Sequence, residues 1–284
     1  MRSIFINHQY VSEDAAKISV FDRGFLFADA IYEITPVIEG KLIDFDGHFT
    51  RLKRSLGELD MGLPMEREAL LDIHRQLIRR NNIKEGLVYL QITRGVADRD
   101  FAFPPEQTEQ TIVAFTQQKT LINNPAAVGG IKIITLADLR WGRCDIKTVQ
   151  LLCASLGKME AKTHGADDAW LLADGYVTEG TSNNAYIVNG DGVIITRNLS
   201  HRILGGITRK AVLKCAAELD MKVEERPFSP EEAKQAHEAF CTSATTFVMP
   251  VVEIDGHKIG TGTPGPVAKS LRKIYISESL KSAI

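Results

Sequence analysis

Lys147 sits in Trp141-Gly142-Arg143-Cys144-Asp145-Ile146-Lys147-Thr148, just ahead of the apolar helical start at Leu151-Leu152. Partial burial there would lower the ammonium pKa and free the amine to form a Schiff base with a carbonyl or to carry a proton. A solvated lysine is the plain alternative, and the local sequence leaves both readings open. Glu179 closes Val177-Thr178-Glu179 and meets Gly180-Thr181-Ser182-Asn183-Asn184, so its carboxylate stands at a turn, either solvated or turned to a ring nitrogen. Leu204-Gly205-Gly206-Ile207-Thr208 precedes a helical pattern whose first backbone N–H groups attract an anion such as phosphate. The hydroxyl-rich turn over 242–246, with Ser243 and Ala244, offers further donors. Arg51 can add a charge-assisted contact, its plain alternative being a solvated helix arginine.

The elements that must position these groups read as two α/β domains. Residues 3–6 and 17–20 are short strand candidates, and 32–38 with 41–44 form a hairpin about Glu39-Gly40, where Pro36 argues for an edge or a bulge. Phe49, Leu52, Leu56 and Leu59 then fall at helical spacing, with Arg51, Lys53 and Arg54 on other faces. A second helix covers 66–81, and strands cover 87–93 and 111–116. The excursion over 94–110 between them is too long to be idle. The polar stretch 118–130 reads as a linker, separating a small domain (1–117) from a larger one (131–284).

In the second domain the pattern predicts a strand at 131–136 and a helix over 149–164, with Leu152, Leu156, Met159 and Thr163 at helical spacing. A hairpin turns at Ala173-Asp174-Gly175, and strands at 184–188 and 193–196 flank another turn. Helices open at Thr208, at Ser229-Pro230 with capping-box spacing, and at Pro266.

Hydrophobic residues make up 44% of the 284, and 34 basic against 36 acidic residues give a net charge of -2, which points to neither nucleic acid nor a membrane surface. No window approaches a membrane span and no apolar leader opens the chain, so a cytoplasmic protein is expected. The four cysteines lack the spacing of a zinc or redox site and read as reduced thiols.

Together these motifs resemble the fold-type IV, or class IV, pyridoxal-phosphate aminotransferases, and most closely the bacterial D-amino-acid transaminases. The resemblance runs from Phe21-Asp22-Arg23-Gly24 to Glu253-Ile254-Asp255-Gly256 and rests on Asp145-Ile146-Lys147, Thr178-Glu179-Gly180 and Gly206-Ile207-Thr208-Arg209 in order. It implies a small N-terminal α/β domain, a larger C-terminal domain, and pyridoxal 5'-phosphate between them. Lys147 would then be the Schiff-base lysine and proton carrier, with Glu179 as partner of the ring nitrogen. Arg51 and the Ile207 and Thr208 N–H groups would hold the phosphate, and Leu204 would pack near the ring. At Ala244, where relatives often carry a threonine, only backbone is on offer, and Ser243 and Thr245 can compensate.

The same resemblance implies a homodimer in which Tyr32 meets the substrate carboxylate together with an arginine and a histidine on a loop of the neighbouring subunit. Arg99 matches that arginine, and the histidine position holds Phe101. A phenylalanine cannot donate a hydrogen bond to a carboxylate. Arg99 can still pair with an α-carboxylate, so D-amino-acid transamination to a 2-oxo acid ranks ahead of branched-chain L-amino-acid or (R)-amine transamination, toward which Phe101 points, and of aminodeoxychorismate lyase chemistry. A non-enzymatic α/β binding protein is the reading from another class.

Overall fold

The computed structural model describes residues 1–284. The chain divides into two compact units, Met1–Thr120 with Ile146–Gln150 and Ser282–Ile284, and Leu121–Asp145 with Leu151–Lys281. Lys147 therefore belongs to the first unit, although sequence order alone would group it with the second.

The first unit is a six-stranded antiparallel sheet with helices packed on it. Its strands are β1 (Ser3–Ile6), β2 (Gln9–Ser12), β3 (Ala30–Ile38), β4 (Lys41–Leu42), β5 (Glu85–Thr93) and β6 (Thr111–Gln118), in the order β2-β1-β6-β5-β3-β4. Its helices are α1 (Arg23–Phe27), α2 (Phe45–Gly57) and α3 (Arg67–Arg80). Leu52 and Leu56 of α2 and Leu70, Ile73, Leu77 and Ile78 of α3 are buried with Val88, Leu90 and Ile92 of β5, as their spacing requires. Residues 17–20 carry no strand; β1 pairs instead with β2, directly after it in the chain.

The β3–β4 turn has Glu39 and Gly40 both at positive φ, the geometry that matches strand twist in a two-residue hairpin. β4 covers β3 only at Val37 and Ile38, which leaves most of that edge open. Pro36 lies beside this short cover, its carbonyl accepting from the Ile43 N–H. Further along the same edge the Lys147 segment adds itself as extra backbone. Tyr32 N–H donates to the Lys147 carbonyl (3.0 Å), and Val149 N–H donates to the Ala30 carbonyl (3.3 Å).

The second unit is a nine-stranded mixed sheet. Its strands are β7 (Ile131–Ala137), β8 (Asp168–Ala173), β9 (Tyr176–Gly180), β10 (Asn184–Val188), β11 (Ile194–Thr196), β12 (Val223–Glu225), β13 (Glu238–Ser243), β14 (Phe247–Ile254) and β15 (His257–Lys258). The path runs β12-β11-β10-β13-β14-β7-β8-β9, with β15 on β14. The β14–β7, β7–β8 and β11–β12 pairs are parallel. Around the sheet lie α4 (Pro125–Gly129), α5 (Leu152–Thr163), α6 (Ile207–Glu218), α7 (Pro230–Lys234) and α8 (Pro266–Lys281). Trp170, Ile187, Phe228, Cys241 and Val251 lie in its core.

α5 buries its small residues, Gly157 and Ala161, while Leu152, Leu156 and Met159 face outward. No helix is long and apolar enough to cross a membrane, and no group of His, Cys, Asp or Glu is arranged to hold a metal ion.

Candidate active site

In the first unit the Lys147 side chain is half-buried, with Nζ 4.2 Å from the centroid of the Tyr32 ring. The strand-edge bonds described above bring these two residues together. Tyr32 is itself buried and stacks on Tyr89 (5.6 Å between centroids), so the ring cannot turn away from the amine. A π-face this close keeps the amine oriented.

Arg51 lies on the buried face of α2, where the sequence pattern placed it on another face. The cause is Glu33 of β3. Arg51 Nε donates to Glu33 Oε1 (2.8 Å) and Nη2 to Oε2 (2.7 Å), and His48 Nδ1 lies 2.7 Å from Oε2. Burial alone would raise the Glu33 carboxyl, but the Arg51 charge and these hydrogen bonds hold it at about 2. Burial also pulls His48 below its usual range despite Glu33, so a neutral imidazole donates Nδ1–H to the carboxylate.

The loop over 94–110 is tied to α1. Arg23 is buried and pairs with Asp29 (2.8 Å), and its Nη1 donates to the carbonyls of Asp100 (2.8 Å) and Ala102 (3.3 Å). Arg94 shares Asp29 and stacks over Phe103 at 3.7 Å. Arg99 and Phe101 at the loop tip are exposed, with the Arg99 guanidinium 5.4 Å from the Phe27 ring and 5.5 Å from the Phe101 ring.

In the second unit Glu179 ends β9 with its carboxylate buried and met only by donors among its resolved partners. Arg140 Nη1 donates to Oε1 (2.5 Å), Asn184 Nδ2 to Oε2 (2.9 Å), and the Leu204 N–H reaches both oxygens (3.2 and 3.1 Å). Asp138, just past β7, grips Arg140 by Nε and Nη2 (2.9 and 2.8 Å). Sequence reasoning passed over Asp138, Arg140 and Asn184. The one signal for them was Asp-x-Arg directly after a strand.

Gly206 caps α6 without any side-chain bond, leaving the N–H groups of Ile207 and Thr208 at an open helix start. A Cβ on Gly206 would come within 2.2 Å of Asn184 Oδ1, so only glycine lets this turn close on the residue that also holds Glu179. Ser243, at the end of β13, spends its hydroxyl on Thr246: the two oxygens lie 2.7 Å apart and Thr246 N–H donates to it (3.2 Å). Ala244 follows it, half-buried, with only backbone polar groups. The second unit thus brings Glu179, Leu204, Ile207 and Thr208 together through Asn184.

The profile of the amino-transferase class IV family matches residues 30–254, which include every residue of the site described above except Asp29 and those of α1. The chain belongs to this family. Other class IV aminotransferases include a D-alanine aminotransferase of Staphylococcus haemolyticus, 38% identical over 273 residues and covering 96% of each chain. A D-alanine aminotransferase of Bacillus licheniformis is 36% identical over 284 residues, covering 98% of this chain and 99% of its own. Among solved structures, a branched-chain amino acid aminotransferase of T.th., complexed with N-(5'-phosphopyridoxyl)-L-glutamate, superimposes with a TM-score of 0.87 at 28% identity, covering 97% and 93%. That of Escherichia coli gives 0.86 at 25% identity, covering 98% and 94%. This class IV aminotransferase accordingly has the fold-type IV architecture, and it is an enzyme.

Proposed function

We propose that the chain is a pyridoxal-phosphate-dependent D-amino-acid transaminase, moving the amino group of a D-amino acid to 2-oxoglutarate or pyruvate by a ping-pong route in the cytoplasm. The observation that carries this reading is identity of 36–38% to D-alanine aminotransferases along nearly the whole of both chains, against 25–28% to the branched-chain enzymes above. The residues present fit the cofactor. An open helix start suits a phosphate, a buried carboxylate suits a protonated ring nitrogen, and a half-buried lysine held against Tyr32 suits the carbonyl. When bound, the cofactor ring withdraws the charge that develops at the substrate α-carbon.

Lys147 would hold the cofactor, and its freed amine would take the α-proton and return it to the carbon two atoms along, beyond the transferred nitrogen. Ile207 and Thr208 N–H would bind the phosphate, with Arg51 joining them from α2 and Ser243 and Ala244 supplying the neighbouring turn. Leu204 would flank the ring. Tyr32 would meet the substrate carboxylate with Arg99 from the neighbouring subunit of a homodimer. The exposure of Arg99 and Phe101 is what a group serving another chain's site requires. Lys147→Ala should lose all multiple-turnover transamination, and borohydride should fix the cofactor to a peptide containing Lys147 in the wild type. Normal turnover by the variant would end the assignment.

A second reading, transfer from a hydrophobic amino acid or an (R)-amine, draws on Phe101, which is 79% exposed and packs edge-on against Phe27 where a hydrogen-bond donor was expected. Half-reactions followed by the cofactor absorbance should be fast with D-alanine and slow with L-leucine and an (R)-amine. The reverse order would install the second reading.

A further inference from the structure

Arg140 has no assigned part in the reaction, yet it is built in on two sides. Its side chain is 14% exposed and lies between two carboxylates, Asp138 (5%) and Glu179 (6%). Asp138 takes Nε and Nη2 as a bidentate pair and is itself held by Thr178 Oγ1 (2.8 Å). A guanidinium locked on one edge presents Nη1 in one direction only, and that direction is Glu179 Oε1. Asn184 and the Leu204 N–H fix the rest of the carboxylate.

The chemistry of these partners constrains where a proton can sit. A guanidinium, an amide NH₂ and a backbone N–H donate and cannot accept. A proton on Glu179 would meet donors at the positions they hold, so this setting favours the anion. The charges agree: Asp138, Arg140 and Glu179 sum to one buried negative charge, which is matched by one cation. The other titratable groups facing this cluster do not supply it. Cys144 stays a neutral thiol, pushed up to about 11 chiefly by burial, and Asp145 is engaged with Arg143 and His201.

We propose that Arg140 is the positioning residue that fixes Glu179 as an oriented carboxylate, so that the proton shared with the cofactor's ring nitrogen rests on the nitrogen. This rests on the reading of Glu179 as that nitrogen's partner. Replacing Arg140 by a neutral residue would raise the proton affinity of Glu179, and the proton would pass from the ring nitrogen to a Glu179 oxygen, with no other bond made or broken.

The test uses holoenzyme reconstituted with pyridoxal phosphate labelled with 15N in the ring. The wild type should give a pyridinium 15N signal. Arg140→Gln should move it toward the unprotonated-pyridine position and bring up a carboxylic-acid carbonyl band in the infrared, while Arg140→Lys, which restores the charge, should return the signal most of the way. An unmoved signal in Arg140→Gln, with Glu179→Gln moving it, would overturn the role of Arg140. An unmoved signal in both variants would instead overturn the reading of Glu179. Should Arg140→Gln fail to fold, wild-type apoenzyme decides: the Glu179 carboxylate band, identified by difference from Glu179→Gln, should persist on acidification below the ordinary glutamate value of about 4.3. Its conversion to the acid at that ordinary value would overturn the proposal.

Discussion

A guanidinium as buried as Arg51 needs a counter-charge close by, and Glu33 supplies it from the neighbouring strand with both carboxylate oxygens. The pair makes this corner of the first unit sensitive to acid, and the sign follows from the directions of the shifts. His48 and His74 are both lowered by burial, His74 to about 4, so each favours the fold while neutral. That contribution is complete above the ordinary histidine value of about 6.5 and is lost as pH falls toward 4. Glu33, held at about 2, adds stability above its ordinary value of 4.5 that is withdrawn between there and about 2. Glu33→Gln should cost about 3–5 kcal/mol at neutral pH by removing the buried carboxylate that Arg51 grips with Nε and Nη2. It should also flatten the loss of stability between pH 4.5 and 2. Urea unfolding at a series of pH values measures both, and an unchanged acid limb would show that Glu33 does not carry the charge. The helical spacing of Phe49, Leu52 and Leu56 was legible because it is local, whereas the burial of Arg51 was not. What turns Arg51 inward is an acid 18 residues earlier on a different element, and no periodicity encodes that.

Elements with local signals match the structure closely. The turns at Glu39-Gly40 and Asp174-Gly175 have the positive φ values that their residues suggest, and Ser229 caps α7 by accepting from the Glu232 N–H. β14 was missed as a strand because it is apolar from Phe247 to Val252, without alternation, and contains Pro250; its pairing with β13 and the distant β7 makes it a strand. The Lys147 segment is the sharper case. Its place is set by backbone bonds to Ala30 and Tyr32, on an edge that the two-residue β4 leaves uncovered. The loop over 94–110 was legible as functional by length alone, and its anchor was not. Arg23 holds the loop through the Asp100 and Ala102 carbonyls, and hydrogen bonds to a charged donor contribute about 1.5–3 kcal/mol each. Arg23→Met should therefore speed proteolytic cleavage within 94–110 by on the order of tenfold or more, while sites in α3 are cut at the wild-type rate. Equal acceleration at both places would mean that Arg23 supports the whole unit rather than the loop.

At the scale of the whole molecule, a net charge of -2 gives little long-range repulsion between copies, and α5 supplies a surface that water does not favour. The helix lies close to its own sheet because Gly157 and Ala161 are small; a Cβ on Gly157 would already stand 3.1 Å from Thr181. Its larger residues are consequently left outside, Leu152 at 73% exposure, Leu156 at 62% and Met159 at 59%, spaced so that they share one face. Helical spacing alone could not tell this stripe from a core face, because the same pattern serves either. A second copy of the chain is the partner the proposed function calls for, with the exposed Arg99 serving that copy's site. Fully burying a leucine contributes about 1.5–3 kcal/mol, so two glutamates in place of two leucines should outweigh much of what holds such a pair together. Leu152→Glu combined with Leu156→Glu should convert a dimer in sedimentation equilibrium to a monomer with an unchanged far-ultraviolet circular dichroism spectrum. The monomer should also lose its grip on D-alanine, because Arg99 would no longer reach a site. A wild type that sediments as a monomer would remove the homodimer, and a variant that stays dimeric would place the interface away from α5.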